Sequence, residues 1–87
     1  MNQNAIIHYI MLELEKAKTK FPLWPVDVIH AVSVMNEEAG ESIQAALQLS
    51  YEGGSIDNVK AELIQTAAMC FRALENIDNL KVYPHKI

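Results

Sequence analysis

The stretch Asn36-Glu37-Glu38-Ala39-Gly40-Glu41 lies in the middle of the longest helix that the sequence predicts. Glu38 and Glu41 are three residues apart, so both side chains project from one face of that helix. The stripe that contains the two acids is apolar before and after them, at Ala31, Val34 and Ala45. Carboxylates in a stripe that otherwise favours burial are costly without a compensating charge, so we expect a divalent cation here.

Hydrophobic periodicity predicts one further helix before this one and one after it, and therefore an all-α fold. Helix 1 is expected over about residues 4–18, helix 2 from 26 or 27 to between 49 and 51, and helix 3 over about 56–79. Between helices 1 and 2, Pro22 and Pro25 interrupt the pattern, and Pro25 suits the first turn of helix 2. The chain is thus predicted to form three helices.

A tight turn is predicted between helices 2 and 3. Glu52-Gly53-Gly54 ends helix 2, because glycine accepts the left-handed conformation of a helix stop. Ser55 or Asp57 can cap the helix that follows. A turn this short makes the two helices antiparallel neighbours, so the chain should contain a long helical hairpin.

The hairpin brings a second acidic pair level with the first. In an antiparallel pair of helices, residues that lie opposite each other have residue numbers with a constant sum. The sum for Glu41 and Glu62 equals the sum for Glu38 and Gln65, so both pairs fit the same register. Three carboxylates and an amide oxygen are hard ligands suited to Mg²⁺ or Mn²⁺. The alternative is that these residues are solvated surface charges near a turn.

Composition limits the class of protein. Residues 1–87 have room for one domain, and a chain this short is marginally stable alone. Yet 51% of its residues are hydrophobic, and nine of the twelve positions over 63–74 are apolar on all sides of helix 3. A helix that is hydrophobic all round is normally buried on more than one side. We therefore expect a second subunit against helix 3.

Charge and targeting signals favour a cytoplasmic protein. The formal net charge of −4 argues against binding to a nucleic-acid polymer. Cys70 is the only cysteine, which excludes an internal disulfide and favours a reducing compartment. We expect no signal peptide and no membrane span, since no basic region precedes an apolar run and no apolar stretch is long enough. The tail 81–87 is expected to be irregular.

Several other residues have two interpretations each. On helix 1, the pairs Glu13/Lys16 and Glu15/Lys18 are expected on an exposed face without chemistry. Trp24 either caps the core or stacks on a planar ligand, and His30 is either structural or close to a substrate phosphate. For Lys60 and Arg72, the choice is between a phosphate contact and a surface ion pair with Asp57 or Glu75. These four are the candidate substrate-binding residues: Trp24, His30, Lys60 and Arg72.

Two segments of the chain resemble the motifs of a known protein family. Glu37-Glu38-Ala39-Gly40-Glu41 and Ala61-Glu62-Leu63-Ile64-Gln65 are similar to the paired motifs E-E-x-x-E and E-x-x-D of the all-α nucleoside triphosphate pyrophosphohydrolases. That superfamily includes the MazG-like proteins, the all-α dUTPases and the dCTP pyrophosphatases. The resemblance covers residues 24 to about 74, and the first motif is the more specific half.

The resemblance implies a fold, an activity and a set of site residues. The fold is a four-helix-bundle core formed by homo-oligomerisation, as a homodimer or a dimer of dimers. The activity is the Mg²⁺-dependent hydrolysis of a nucleoside triphosphate between its α and β phosphates. Glu38, Glu41 and Glu62 would be metal ligands, Glu37 would be an additional acidic partner for ligation or for orienting water, and the catalytic residues would be Glu37, Glu38 and Glu41.

One position departs from the family pattern. Gln65 stands where the motif has Asp, and an amide offers an oxygen to a cation but cannot act as a base. A literal E-x-x-D occurs at Glu75 and Asp78, but the hairpin register places it far along the helix from Glu38. Two alternatives to the hydrolase therefore stand: a catalytically weak or inactive relative that binds nucleotide or metal, and a helical oligomeric interaction module with a solvated acidic face.

Overall fold

The computed structural model describes residues 1–83 and is all-helical over that range. The three α-helices are α1 (Gln3–Lys20), α2 (Val28–Tyr51) and α3 (Ile56–Glu75), and a short 3₁₀ helix follows at Ile77–Asn79. No strand occurs within these 83 residues. The predicted all-α, three-helix chain is confirmed.

Each α-helix begins at a polar residue that caps it. The side chains of Asn2, Asp27 and Ser55 accept hydrogen bonds from the backbone N–H three residues later, at 2.8, 2.8 and 3.1 Å. Such a cap stabilises a helix by about 1 kcal/mol. Because Asp27 is the cap of α2, Pro25 lies outside the helix, and its predicted place in the first turn is wrong. Of the two caps considered for α3, Ser55 is the one used.

The turn between α2 and α3 has the predicted glycine geometry. Gly53 has a φ of +73°, the left-handed region that glycine accepts without steric cost. The N–H of Gly54 donates to the carbonyl of Gln48 at 2.9 Å, and a Cβ on Gly54 would lie 2.9 Å from the Gln48 carbonyl carbon. Both glycines are therefore needed for the chain to fold back into the hairpin.

Helix α3 is the centre of the molecule and packs against both α2 and α1. The fully buried apolar residues are small apart from one leucine: Leu14, Ala31, Ala45 and Ala68. Small side chains allow helix backbones to approach closely, and between α2 and α3 the hydroxyls of Ser42 and Thr66 lie 2.9 Å apart. The predicted length of α3 is too long, because the α-helix ends at Glu75 and the chain then tightens into the 3₁₀ turn.

The segment after the 3₁₀ turn returns to the α1–α2 linker. Lys81 forms an isolated parallel bridge with Asp27. The N–H of Lys81 donates to the Val26 carbonyl at 2.7 Å, and the Lys81 carbonyl accepts from the N–H of Val28 at 3.0 Å. The rest of the expected irregular tail, residues 84–87 with His85 and Lys86, lies outside the described residues.

Much of the apolar surface stays exposed in the single chain. Ile43, Leu63 and Leu74 have exposed fractions of 64, 55 and 69%. None of the helices in residues 1–83 combines the length and the apolar character that crossing a membrane requires.

Candidate functional site

Three carboxylates meet between α2 and α3. One oxygen from each of Glu38, Glu41 and Glu62 lies within 4.8 Å of the other two. Glu38 and Glu41 are one turn apart on α2, and Glu62 faces them because the glycine turn sets the antiparallel register. We call these three residues the acidic cluster. The sequence predicted that these three carboxylates converge, and the hairpin brings them together.

The acidic cluster is electrostatically unsatisfied. Glu38 and Glu62 are half-buried, and the Oε2 atom of each is buried without a hydrogen-bond partner in residues 1–83. Burial raises the pKa of the Glu38 carboxyl, and the negative charges of Glu41, Glu62 and Glu13 raise it further. The pKa of Glu62 is raised by burial and by Glu41. Buried polar atoms normally have partners, so an orphaned oxygen on each of two converging glutamates marks a place for a cation or a proton.

The other acids of the predicted motifs lie outside this cluster. Glu37 is exposed and is not among the carboxylates that converge. Glu75, half of the alternative E-x-x-D, instead binds Lys18 of α1, with Nζ and Oε1 2.9 Å apart. Gln65 is half-buried and lines the same cavity as Glu38. That Gln65 lies level with Glu38 across the hairpin stays a prediction of the register.

That cavity has a volume of about 500 Å³ and lies beside the acidic cluster. Its walls come from the last turns of α1, the α1–α2 linker, α2 and α3. The lining residues are Glu13, Lys16, Ala17, Lys20, Phe21, Leu23, Trp24, Pro25, Val34, Glu38, Gln65, Met69 and Arg72. This volume is in the range of small-molecule sites, and the walls combine aromatic, apolar and charged groups as such sites do.

Arg72 has a role that neither interpretation of the sequence included. Its side chain is only 4% exposed, and its guanidinium donates to the carbonyl of Phe21 at 2.6 Å and to that of Ala17 at 3.5 Å. The guanidinium carbon also lies 4.9 Å from the centre of the Trp24 ring. Arg72 thus binds the carboxyl-terminal end of α1, where a positive charge is favoured. The predicted surface ion pair with Glu75 is wrong.

Trp24 forms part of the cavity wall and is half-buried against Arg72. Its Nε1 atom is buried and has no hydrogen-bond acceptor in the described part of the chain. An indole N–H usually finds an acceptor when it is buried. Of the two interpretations of Trp24, packing on the core is therefore combined with a place on the cavity surface.

Helix α1 contributes to the site, which the sequence pattern did not indicate. Glu13, Lys16 and Lys20 line the cavity, although Glu13 and Lys16 were expected on an exposed face without chemistry. Glu13 and Lys16 form no ion pair within residues 1–83, whereas the pair Glu15–Lys18 is present at 3.8 Å. With Ala17, these residues have the spacing i, i+3, i+4, i+7 of one helix face, which was the signal available in the sequence. That face lies next to the buried face of α1, so its side chains form part of the cavity wall.

A second, smaller cavity lies on the turn side of the acidic cluster. It has a volume of about 210 Å³, and Glu41 and Glu62 line it together with three amide side chains: Gln44, Gln48 and Asn58. These three amides belong to no motif in the sequence. The acidic cluster is therefore open on two sides, since Glu38 borders the larger cavity and Glu41 and Glu62 border the smaller one.

Two predicted substrate-binding residues are not brought to either cavity. His30 is exposed in the first turn of α2, where its backbone N–H donates to the Asp27 cap. Lys60 is exposed on α3 and forms no ion pair within the described residues, so the expected pair with Asp57 is absent there. Neither residue is among those that line the two cavities.

Comparisons of the chain with protein-family models, with curated proteins and with solved structures find no match. What the site can do must therefore be argued from its own geometry. Its elements are an acidic cluster with two oxygen atoms that lack partners, an adjacent cavity lined by aromatic, apolar and charged groups, and cationic side chains among those lining residues.

Proposed function

We propose that this protein is a Mg²⁺-dependent nucleoside triphosphate pyrophosphohydrolase of the MazG-like type, which converts a nucleoside triphosphate and water into a nucleoside monophosphate and pyrophosphate. The single observation that carries the proposal is the acidic cluster, with its carboxylate oxygens within 4.8 Å of one another beside a cavity of about 500 Å³. The motif resemblance at Glu37–Glu41 and Glu62 gives the reaction class.

The donor set of the acidic cluster fits a hard divalent cation. Mg²⁺ binds oxygens at about 2.1 Å in octahedral geometry, so its ligand oxygens are about 3 to 4 Å apart. The cluster oxygens are within 4.8 Å, so small side-chain rotations close the remaining gap. Repulsion between carboxylates keeps them apart until a cation neutralises them. A protein site with three carboxylates leaves the other coordination positions to water and substrate phosphates.

When bound, Mg²⁺ or Mn²⁺ supplies charge neutralisation on the phosphates and a water activated for attack on phosphorus. Glu38, Glu41 and Glu62 hold the cation, and Gln65 borders the same cavity with a neutral oxygen. For Glu37, the motif resemblance proposes a role in orienting water, although its exposed carboxylate lines neither cavity. Trp24 and Phe21 provide apolar and aromatic surface for the nucleoside.

The proposal includes homo-oligomerisation into a four-helix-bundle core, as a homodimer or a dimer of dimers. Its support is the exposed apolar surface of α2 and α3, which the single chain leaves uncovered. Cys70 as the only cysteine supports a reducing location such as the cytoplasm.

A pyrophosphate-release assay over a panel of NTPs and dNTPs, with Mg²⁺ or Mn²⁺, tests the activity. Glu41→Gln should reduce turnover at least about a hundredfold, because it removes a charged metal ligand. Glu52→Gln is the matched control, since Glu52 is an exposed acid at the end of α2 that lines neither cavity. No nucleotide turned over by the parent protein, or equal losses in the two variants, would contradict the proposal.

A second candidate function is nucleotide and metal binding without turnover. Gln65 favours it, because the resembled motif has a carboxylate there and an amide supplies no charge. Under this alternative the parent protein gains thermal stability from a nucleotide with Mg²⁺ but releases no pyrophosphate. The thermal shift and the release assay on one preparation therefore separate the two functions.

A further inference from the structure

The candidate site carries more negative charge than one divalent cation neutralises. The three carboxylates of the acidic cluster are joined by Glu13, which lines the same cavity as Glu38. A nucleoside triphosphate adds about four negative charges at neutral pH. The negative charges of the carboxylates and of the triphosphate repel one another strongly in a partly desolvated site. Tight binding of such a substrate requires cationic side chains in addition to the metal.

Two lysines of α1 are in the right place to supply that charge. Lys16 and Lys20 are one helical turn apart, line the cavity that Glu38 also lines, and form no ion pair within residues 1–83. The ammonium of Lys20 lies 5.4 Å from the centre of the Phe21 ring, on the cavity wall. Both lysines therefore keep their charge available on the cavity surface.

The other cations in the described helices are committed elsewhere or distant. Lys18 binds Glu75 at 2.9 Å and Glu15 at 3.8 Å. The guanidinium of Arg72 is buried and directed at the carbonyls of Phe21 and Ala17. Lys60 lies outside both cavities. Arg72 also lines the larger cavity, but its guanidinium is already hydrogen-bonded, so Lys16 and Lys20 are the lining cations without an ion pair or hydrogen bond in residues 1–83.

We propose that Lys16 and Lys20 bind the polyphosphate of the nucleotide, on the phosphate oxygens that the metal does not neutralise. The inference rests on the proposed function and adds two cations of α1 to a site whose metal ligands come from the hairpin. Along one face of α1, Glu13 lies nearest the amino terminus and the two lysines follow at one and two turns. A lysine ammonium is a compact charge that binds phosphate well without a fixed fork geometry.

The test uses inorganic tripolyphosphate with Mg²⁺ as the probe and calorimetry as the measurement. The variant Lys16→Gln/Lys20→Gln should bind the probe at least about tenfold more weakly than the parent, with a smaller dependence of affinity on salt. Lys18→Gln is the matched control, because it removes one charge from the same helix outside the cavity, and its affinity should stay within about twofold. Lys16→Arg/Lys20→Arg should restore binding, which shows that charge and not fold is responsible.

Two readouts separate this inference from the proposed function. The melting shift caused by Mg²⁺ alone should be at least as large in the double Gln variant as in the parent, because the acidic cluster is intact. Lysine-dependent probe binding in a protein that turns over no nucleotide overturns the enzymatic function and supports the inference. A parent that does not bind tripolyphosphate, or a double Gln variant that binds it as Lys18→Gln does, overturns the inference.

Discussion

Gln65 is the residue at which the sequence and the resembled motif disagree, and its position makes the disagreement testable. It lines the same cavity as Glu38, so under the proposed function Gln65→Asp adds a fourth carboxylate to the site. Without metal, this crowding of like charges should destabilise the fold. With Mg²⁺, the added charge should strengthen binding, so the variant should gain more in melting temperature than the parent and release pyrophosphate faster.

The measurement is a Mg²⁺ titration of melting temperature for the parent and Gln65→Asp, started in chelator. A substitution at an ordinary surface position changes stability by no more than about 0.5 kcal/mol, with or without metal. Identical melting shifts in the two proteins would remove Gln65 from the site and leave the three glutamates.

The raised pKa values of Glu38 and Glu62 predict a pH dependence of the metal-free protein. Both carboxyls have a folded-state pKa above the ordinary value of 4.5, because of burial and neighbouring carboxylates. The folded state therefore binds protons more tightly than the unfolded state. The resulting stability is present below pH 4.5 and is lost as the pH rises through the folded pKa.

The experiment compares the parent with Glu38→Gln/Glu62→Gln in chelator, as melting temperature against pH. The parent should lose stability relative to the variant as the pH rises, and the difference isolates the two carboxyls from all other titrating groups. Adding Mg²⁺ should cancel the parent's loss at neutral pH, since the cation binds the deprotonated cluster. A difference that does not change with pH would contradict the electrostatic description of the cluster.

The contacts of Arg72 could not be predicted from the sequence. The sequence allowed two interpretations of Arg72. It lies two helical turns after Gln65, which suits a phosphate contact, and three residues before Glu75, which suits a surface ion pair. The structure instead places the guanidinium on the carbonyls of Ala17 and Phe21 and beside Trp24. Those partners are more than 45 residues away in sequence, and periodicity contains no information on contacts between such distant segments.

At the scale of elements, the parts set by local chemistry were predictable. The glycine turn and the polar caps define the hairpin, and the hairpin fixes the register that brings Glu62 to Glu38 and Glu41. The linker between α1 and α2 was not predictable, because Asp27 rather than a proline starts α2 and the linker's hydrogen-bond partner is Lys81. The role of α1 in the cavity was missed because hydrophobic periodicity does not show what lies opposite a polar helix face.

The bridge between Lys81 and the linker predicts a second effect at this scale. Lys81→Pro removes the N–H that donates to the Val26 carbonyl at 2.7 Å, whereas Lys81→Ala retains it. We expect the proline variant to lose about 1 kcal/mol of unfolding free energy relative to the alanine variant. The amide of Val28, which donates to Lys81, should then exchange its hydrogen faster. Equal stability and equal exchange in the two variants would show that the bridge does not hold the linker.

At the scale of the whole molecule, the exposed apolar residues are not scattered. On α2, four of them lie within about 60° of one another around the helix axis, at Ile29, Val32, Ile43 and Leu47. On α3, three more lie within about 20°, at Ile56, Leu63 and Leu74. Exposed apolar side chains aligned on one face of a helix are typical of surfaces that another molecule covers. Two copies of the hairpin would supply four helices for one core.

We therefore expect light scattering to give at least twice the 9.8 kDa chain mass across a micromolar dilution series, with a melting temperature that rises with protein concentration. Ile43→Glu and Leu63→Glu should dissociate the assembly and lower the melting temperature, because each would bury an unpaired charge in the interface. Leu12→Glu on α1, where the side chain is 54% exposed, is the control and should leave the mass unchanged. If the chain is instead a stable monomer, all three substitutions lie on free surface and each should change stability by no more than about 0.5 kcal/mol. That result would separate the acidic cluster from any assembly, because the three carboxylates converge within a single chain.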